Sequence, residues 1–379
     1  MVLIQSGYLK MSQLNVAVFS DIHLGGKRNT AEEIIKNLRI AFPNDASTAE
    51  LDILFLAGDV FDGLLSLPDT AVTEISSWIA YLLYICAKHD ILLRILEGTP
   101  SHDWKQSERF ITISKIIKEP IDIKYIKELS IEYIEKFDIN VLYVPDEWES
   151  STEKTLSQVH ELLRAKGLDK VDYAIMHGAF THQLPEVVKC QKHDANSYLK
   201  IVRELIFIGH IHTHTTYDRI IAQGSFDRLS FGEEEPKGHV RAIVTDTGRN
   251  VTFVENKGAK IFKSIDCSFM SLEDTLSKID STVVGIIDGS YIRIIGNGDN
   301  PIFTNMNVLI CKYPLLVWSK LIRDNEEEEE VFIEDDEVLF IPITITNTNI
   351  RGLLMDRLNN SHINPEVLLI ANELLSEVI

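Results

Sequence analysis

The side chains in this sequence that could do chemistry come in short groups separated by long intervals. The groups are Asp21-x-His23, Gly58-Asp59, Ser101-His102-Asp103, His177-Gly178 and Gly209-His210-x-His212. Carboxylates and imidazoles that converge on one point are costly to bury unless a cation neutralises them. The donors are oxygen and nitrogen atoms without a thiolate, which favours a borderline-to-hard divalent ion, Mn²⁺ first, with Fe or Zn as alternatives. The sequence therefore predicts a metal site.

Each group follows a short apolar run that predicts a β-strand. The runs cover residues 14–19, 53–57, 91–96, 173–176 and 205–208. Open α/β sheets place their ligands at the carboxyl ends of their strands. Residues i and i+2 of an extended chain point the same way, so we expect Asp21 to share a direction with His23, and His210 with His212.

Taken singly, each group has an ordinary structural explanation. Asp-x-His arises by chance, Gly-Asp is more often a turn, and a lone histidine is more often a hydrogen-bonded core residue. All five groups in one chain, each at a predicted strand end, favour the metal site.

The alternation of short strands with helical patterns predicts an α/β fold. Helices are expected after Thr30, which has capping-box spacing to Glu33, and from about residue 70 to 88. A composition shift near Gly258 divides the chain into a larger domain, 1–260, and a smaller α+β domain, 261–346. Residues 347–379 are predicted to form a C-terminal helical segment, with Pro365 opening its last helix.

Composition excludes several classes of protein. The chain has 379 residues, of which 45% are hydrophobic and 25% charged, which is typical of a globular protein. The apolar stretch 75–87 is shorter than the about 20 residues that span a bilayer, and the first ten residues lack the pattern of a secretion signal. We therefore expect no membrane partner and a cytoplasmic location, with Met1 or Met11 as the working start.

Charge and cysteine content narrow the classes further. The net charge is −20, from 57 acidic and 37 basic residues, so the chain does not coat nucleic acid through bulk charge. Any polyanion must bind at a local site, through bound cations. Nine acidic residues between 326 and 337 predict a solvated loop. The absence of a C-x-x-C pair excludes a thiolate zinc site and predicts reduced, buried thiols at Cys86, Cys190, Cys267 and Cys311.

The order D-x-H, G-D, (N/S)-H-D, H and G-H-x-H resembles that of the calcineurin-like metallophosphoesterase superfamily, over about residues 14–245. A second stretch, from Gly224-Ser225-Phe226 to Lys237-Gly238, is similar to the segment that follows G-H-x-H in SbcD-type DNA-repair nucleases. Their eukaryotic relative is the meiotic-recombination double-strand-break nuclease. The resemblance implies a layered metallophosphoesterase β-sandwich flanked by helices, with the smaller domain as a DNA-binding capping domain.

The resemblance also implies a role for each group. One metal ion would be held by Asp21, His23 and His212, the other by Ser101, His177 and His210, with Asp59 bridging both. His102 would face the scissile phosphate, and Asp103 would orient its ring. The family usually has Asn where this chain has Ser101, so Thr99 is an alternative ligand. Arg228 is a candidate substrate contact.

Two such ions would lower the pKa of a shared water toward about 7 and hold the phosphate oxygens for in-line attack. The resemblance thus implies a DNA nuclease, acting as exonuclease, endonuclease or both, that processes DNA ends in repair or recombination. Its partners would be a second copy of the chain, in a homodimer, and an SbcC-type ATPase docked on the C-terminal helices.

Two other functions stay open. A phosphoesterase for a small phosphodiester or a phosphoprotein would use the same ligands, and the net acidity favours it, whereas the 224–238 segment and the additional domain favour the nuclease. The third is a non-catalytic scaffold with a degraded metal site, suggested by Ser101. The flanking cations Lys27, Arg28, Lys105 and Arg109 are each more often solvated surface charges than phosphate contacts.

Overall fold

A computed structural model describes residues 13–26, 29–65, 70–117, 120–185 and 187–323 of the protein. Its strands are β1 (Gln13–Phe19), β2 (Ile53–Ala57), β3 (Leu92–Leu96), β4 (Ile123–Ile126), β5 (Ser130–Ile134), β6 (Ile139–Val144), β7 (Val171–His177), β8 (Ala179–Phe180), β9 (Lys192–His193), β10 (Val202–Gly209), β11 (Thr215–Tyr217), β12 (Ile220–Ala222), β13 (Gly238–Thr245), β14 (Gly248–Glu255), β15 (Phe262–Asp266), β16 (Tyr291–Gly296) and β17 (Val317–Ile322). Its α-helices are α1 (Ala31–Ala41), α2 (Ala46–Ala49), α3 (Thr70–Lys88), α4 (Pro100–Asp103), α5 (Glu108–Ser114), α6 (Thr152–Ala165), α7 (Ala195–Ile201), α8 (Leu272–Thr282) and α9 (Met306–Lys312).

Most of the described strands belong to two six-stranded sheets. The first has the order β14-β13-β1-β2-β3-β4, and the second has the order β11-β12-β10-β7-β6-β5. In the first sheet β1 to β4 run parallel, while β13 pairs antiparallel with both β1 and β14. In the second sheet β6, β7, β10 and β12 run parallel, between antiparallel edge strands β5 and β11. The carboxyl ends of the central strands of each sheet therefore lie along one edge.

The two sheets pack face to face with helices on their outer sides. Along β1, Val16 and Val18 enter the core between the sheets, whereas Ala17 and Phe19 face the core shared with α1 and α3. Strand Ile53–Ala57 is buried throughout, as expected of a strand covered on both faces. A third core joins the second sheet to α6 and α7. The predicted β-sandwich flanked by helices is thus confirmed.

Local signals in the sequence account for several element boundaries. Thr30 caps α1, and its hydroxyl accepts a hydrogen bond from the Glu33 amide at 3.3 Å. The predicted helix 70–88 matches α3, and the five strands that precede the chemical groups are all present. The strands β4, β5, β14 and β17 were not predicted, because they are partly exposed and lack continuous apolar runs.

Residues 262–322 form a smaller unit with a sheet of its own. Strands β15, β16 and β17 are parallel, and helices α8 and α9 lie in the connections between them. Its core contains Ile265, Ile279, Ile292, Ile294 and Leu309. The predicted boundary at residue 260 falls in the link between β14 and β15.

Several sequence predictions fall outside the described residues: the helical segment 347–379, the acidic loop 326–337, the working start at Met1 or Met11, and the cations Lys27 and Arg28. Of the cysteines, Cys86 and Cys267 are buried thiols as expected, whereas Cys190 is half-buried and Cys311 is exposed. Among the described helices, none combines the length and apolar character needed to cross a membrane.

Candidate metal centre

The predicted ligands meet where the carboxyl ends of both sheets come together. Three groups of ligand atoms each lie within 4.8 Å of one another: Asp21, His23 and His212; His23, Asp59 and His102; and Asp59, His177 and His210. Because Asp59 and His23 each belong to two of the groups, the three groups form one continuous cluster. Asp59 is its centre, as the bridging role requires.

The ligands leave their strands through left-handed turns. Asp21, His23 and Asp59 have φ angles of 49°, 53° and 51°, and His210 has a φ of 93°. Such angles are uncommon for residues other than glycine, and they cluster at functional sites. Our expectation that Asp21 and His23 share a direction through extended i, i+2 geometry is therefore wrong in its mechanism, although the two side chains do converge.

Three histidines are held by oxygen partners of their Nδ1 atoms, which leaves each Nε2 atom available to bind a metal ion. Nδ1 of His23 lies 3.1 Å from Asp62 Oδ1, that of His177 lies 2.7 Å from the Ala57 carbonyl, and that of His212 lies 3.0 Å from Glu233 Oε1. Among the described residues, the buried Nε2 atom of His23 has no hydrogen-bond partner. Metal-binding histidines are oriented in this way by an oxygen on the other ring nitrogen, so the residues present fit a metal ion.

Asp59 is almost fully buried and accepts hydrogen bonds on both oxygens. Oδ1 accepts from the Thr99 amide at 2.6 Å, while Oδ2 lies 2.9 Å from His102 Nδ1 and 3.2 Å from His177 Nε2. Burial raises the pKa of Asp59, but the neighbouring His177 and His102 outweigh burial and hold the pKa well below its usual range. An ionised carboxylate therefore lies at the centre of the cluster.

The carboxylates make the whole cluster attractive to positive charge. Burial lowers the pKa of His177 and of His102, yet Asp59 raises both values above the ordinary one. For His212, hydrogen bonding to Glu233 and the charge of Asp21 overcome burial and raise the pKa to about 9. Divalent cations supply the positive charge that these acidic surroundings favour.

Asp103 does not orient His102 as the resemblance implied. Its Oδ1 accepts from the Phe61 amide at 3.0 Å, and its Oδ2 accepts from the amides of Asp59 and Gly98 at 3.1 and 2.8 Å. The ring of His102 is held by Asp59 instead. Asp103 is therefore a positioning residue that ties the loop after β2 to the loop after β3.

Thr99, rather than Ser101, contributes the hydroxyl of the cluster. Thr99 Oγ1 lies 3.1 Å from Asp59 Oδ2, 3.5 Å from His177 Nε2 and 3.4 Å from His210 Nδ1. Ser101 lies in the short helix α4, where its carbonyl accepts a hydrogen bond from Trp104 Nε1. The structure thus places the alternative, Thr99, in the cluster, because Thr99 is the last residue before α4, whereas Ser101 lies within that helix.

Arg228 is engaged by the fold rather than open to substrate. Its side chain is 9% exposed, and the guanidinium donates to the carbonyls of Ala259 and Glu235 at 3.1 and 3.0 Å. The segment 224–238 instead reaches the site through Glu233, which bonds His212 and forms an ion pair with the buried Lys237 at 2.8 Å. Arg228 holds this segment in place.

The remaining candidates lie at the edge of the site or beyond it. His214 stacks on Phe253 at 4.4 Å and bonds the Ala222 carbonyl, so it is a packing residue. His182 is exposed and stacks on Tyr217, whereas His193 is buried. Lys105 is exposed and Arg109 is half-buried.

Sequence reasoning missed three carboxylates at the site. Asp62 and Glu233 hold the rings of His23 and His212, and Asp146 lies 3.2 Å from Thr99 Oγ1 and 3.7 Å from His210 Nδ1. Asp146 comes two residues after β6, so the rule that found the other groups, polar residues at strand ends, also predicts it. Neither Glu233 nor Asp62 gives such a signal, because the histidines that they hold, His212 and His23, are distant along the chain.

Comparison with known proteins supplies an independent finding. The family profile described as calcineurin-like phosphoesterase matches residues 14–214. No curated protein matches the chain significantly. Among solved structures, TT1561 of Thermus thermophilus is similar at 10% identity and a TM-score of 0.39, covering 64% of this chain and 99% of that one. Another solved structure has 12% identity and a TM-score of 0.38, covering 65% of this chain and 100% of that chain.

Proposed function

The chain belongs to the calcineurin-like phosphoesterase family, whose reaction is metal-dependent phosphoester hydrolysis, and we propose that its substrate is DNA. In this proposal it is a nuclease that cleaves phosphodiester bonds with two divalent ions, Mn²⁺ being the first to test. The observation that carries the hydrolytic part is the continuous Asp–His cluster around Asp59, to which His23 contributes a buried Nε2 atom that has no hydrogen-bond partner in the described part of the chain.

The described side chains divide the work of such a reaction. Bound ions of this type activate water and neutralise phosphate charge. Asp21, His23 and His212 would hold one ion, His177, His210 and Thr99 the other, and Asp59 both. His102 is 26% exposed and anchored through Nδ1 to Asp59, so Nε2 is the ring atom that can give a proton to the departing oxygen.

Support for DNA as the substrate comes from the way the smaller unit is attached. The segment 224–238 bonds a ligand histidine through Glu233, and its Phe231 packs edge-to-face on Phe262 at 5.5 Å. Arg293 of β16 lies over the Phe231 ring at 4.4 Å, and Lys263 pairs with Glu234 at 2.6 Å. A long polymer that contacts the smaller unit would therefore be held in a fixed relation to the metal centre.

The proposal extends to partners and location. An SbcC-type ATPase, a second copy of the chain, a role in DNA repair or recombination and a cytoplasmic location are all implied by the sequence resemblance alone. The segment proposed for the ATPase, 347–379, lies outside the described residues. Co-purification of the full chain with such an ATPase, compared with a chain ending at residue 346, would test the docking proposal.

One alternative substrate has an observation in its favour. The net charge of −20 disfavours long-range attraction of a polyanion, so hydrolysis of a small phosphodiester or a phosphoprotein is the second candidate. The scaffold hypothesis is weaker, because it was suggested by Ser101 in the place of the family's Asn, and Thr99 brings a hydroxyl oxygen near His177 and His210.

The discriminating experiment offers three substrates to the purified protein with Mn²⁺. These are linear duplex DNA, circular single-stranded DNA and a chromogenic phosphodiester, each with and without a chelator. We expect chelator-sensitive cleavage of at least one DNA. Cleavage of the small ester alone would overturn the nuclease proposal in favour of the second candidate, and no cleavage of any substrate would favour the scaffold.

A further inference from the structure

Asp146 is a carboxylate at the candidate metal centre to which the family pattern assigns no role. It follows β6 through Pro145, and its side chain is 13% exposed. Its Oδ2 atom lies 3.2 Å from Thr99 Oγ1 and 3.7 Å from His210 Nδ1. In the described part of the chain no lysine or arginine pairs with it, so its charge faces imidazoles and the hydroxyl of the cluster.

Four potential ligand atoms lie close to the hydroxyl oxygen of Thr99. Measured from Thr99 Oγ1, Asp59 Oδ2 is 3.1 Å away, Asp146 Oδ2 is 3.2 Å away, and the nitrogens of His210 and His177 are 3.4 and 3.5 Å away. Metal–ligand bonds of about 2.1 Å place neighbouring ligand atoms about 3 to 3.5 Å apart in octahedral or tetrahedral shells. Each of the four atoms therefore lies at a distance from Thr99 Oγ1 that two ligands of one ion can have.

The hydroxyl of Thr99 has one proton, and two carboxylate oxygens, of Asp59 and Asp146, lie within hydrogen-bond distance of it. Asp59 Oδ2 also lies close to His102 Nδ1 and His177 Nε2. In the absence of metal, the Thr99 proton can therefore go to Asp146 Oδ2. A cation next to Thr99 Oγ1 would instead bind both carboxylate oxygens and the hydroxyl oxygen.

The position of Asp146 is fixed by its surroundings rather than by the hydroxyl. Its Oδ1 accepts from the Glu147 amide at 3.0 Å. Across from it lies Gly178, with φ +131°, where a β-carbon would come within 3.2 Å of Oδ1. The glycine after the ligand His177 therefore leaves the space that the carboxylate occupies.

The charge count gives Asp146 a reason to be there. Without it, the ion next to His177 and His210 would face Asp59 as its one carboxylate, shared with the other ion, together with the neutral Thr99 hydroxyl. Hydroxyl oxygen is a weak donor compared with a carboxylate for a hard divalent cation. With Asp146, the cluster offers three carboxylates, Asp21, Asp59 and Asp146, to two divalent ions.

We propose that Asp146 Oδ2 is a direct ligand of the second metal ion, completing with Thr99, Asp59, His177 and His210 a site in which a carboxylate compensates for the hydroxyl at position 99. This proposal rests on the proposed two-ion function. In this proposal Asp146 binds the second ion directly. Removing its carboxylate should therefore weaken the binding of the second ion more than that of the first.

The test is a titration of the metal-stripped full chain with Mn²⁺, followed by calorimetry and by electron paramagnetic resonance. The variant is Asp146→Asn. The matched control is Asp172→Asn, because Asp172 has similar burial and also accepts a main-chain hydrogen bond. Asp172 pairs with Arg203 and lies near the amino end of β7, whereas the candidate metal centre lies at the carboxyl end. We expect two ions in the unaltered chain and in the control, with the spectrum of a spin-coupled pair.

In Asp146→Asn we expect one ion to bind within threefold of its normal affinity, while the second binds at least tenfold more weakly and the spin-coupled spectrum is lost. Two ions bound with unchanged affinities would overturn the role of Asp146 and leave the proposed function standing. Loss of both ions would also overturn it, because the effect would not be confined to one site. An unaltered chain that binds fewer than two ions would overturn the two-ion function itself.

Discussion

At the scale of single residues, the reacting groups are held by partners that are themselves ionised or fixed. His212 is anchored by Glu233, and Glu233 by the buried ammonium of Lys237, whose Nζ also donates to the His212 carbonyl at 2.9 Å. Burial alone would raise the pKa of Glu233, but His212 and Lys237 lower it to about 2. The orientation of the His212 ring is thus set by contacts between charged side chains, Glu233 and Lys237, and not by packing alone.

His102→Ala tests whether this histidine acts on the leaving group. We expect kcat to fall by about 10²- to 10⁴-fold, as for other general acids, while the Mn²⁺ stoichiometry stays unchanged. Steady-state kinetics and metal analysis of the same preparations measure both. Full activity in the variant would contradict the assignment, and loss of metal would show that His102 is a ligand instead.

Glu233→Gln tests the support of His212. We expect Mn²⁺ affinity at the first site to fall by about 10- to 100-fold, the usual effect of removing an outer-shell partner. The free energy of unfolding should also fall by at least about 1 kcal/mol, because Lys237 is left buried without its counter-charge. Calorimetric titration and urea unfolding measure the two effects.

Glu234→Gln is the matched control for that change. Glu234 is the next residue and pairs with Lys263 at the surface, so we expect no more than about 1 kcal/mol of destabilisation and unchanged metal affinity. Equal effects in the two variants would contradict the special role of Glu233.

At the scale of elements, the loops that follow β2 and β3 approach each other too closely for side chains. A β-carbon at Gly58, where φ is +89°, would lie 2.2 Å from His177 Nδ1 and 2.7 Å from the Gly98 α-carbon. A β-carbon at Gly98 would lie 2.2 Å from Asp59 Oδ1. The glycines of these loops therefore allow the backbone contacts on which Asp59 and His177 depend.

Gly58→Ala should weaken metal binding as well as stability. The added methyl group must displace His177, so we expect Mn²⁺ affinity to fall at least tenfold, and the free energy of unfolding to fall by more than about 1 kcal/mol. Gly167→Ala is the control, since Gly167 has φ +66° with open space around the β-carbon position. It should lose stability but keep its metal affinity, as measured by calorimetric titration and thermal unfolding. Unchanged affinity in Gly58→Ala would contradict the argument.

At the scale of the molecule, the metal centre belongs to neither sheet alone. Asp21, His23, Asp59 and Thr99 follow strands of the first sheet. In the second sheet, His177 ends β7, and His210, His212 and Asp146 follow strands. Val18 and Phe55 of one sheet share a core with Ile175 and Phe207 of the other. Hydrophobic packing between the sheets therefore brings the two halves of the centre together.

On the other face of the first sheet, an imidazole packs against Phe19 and should make the fold sensitive to acid. His239 of β13 is 1% exposed and stacks on Phe19 at 4.2 Å, and no described residue hydrogen-bonds its Nδ1 atom. Burial, with a smaller effect of Arg241, lowers its pKa to about 3. Below its ordinary pKa of about 6.5 the unfolded chain takes up a proton that the folded protein refuses, so stability falls as the pH falls.

Because of His239, the free energy of unfolding should fall by up to about 1.4 kcal/mol for each pH unit by which the pH falls between about 6.5 and 3. In His239→Phe we expect stability to decline up to about 3 kcal/mol less between pH 6.5 and pH 4 than in the unaltered chain. Urea unfolding at a series of pH values measures this difference. His160→Phe, at an exposed position of α6, should keep the original slope, and parallel slopes in all three proteins would contradict the prediction.

Much of the fold was readable because its signals are local. The apolar runs of β1, β2 and β3, and the Thr30 cap of α1, are encoded within a few neighbouring residues, and the family's Asp and His groups follow at fixed offsets. The weakly patterned strands β5 and β14 were missed because cross-strand pairing, rather than their own composition, stabilises them.

The sequence by itself indicated the Asp and His groups and their places at strand ends, and its resemblance to a known family implied the sandwich that carries them. Only the tertiary structure decided that Thr99 and not Ser101 enters the cluster, that Asp103 binds amides instead of His102, that Arg228 is buried, and that Asp146 faces His210. The physical reason is range. Strand formation depends on adjacent residues, whereas the partner of a buried charge is whichever group the packing of distant segments brings within about 3 Å.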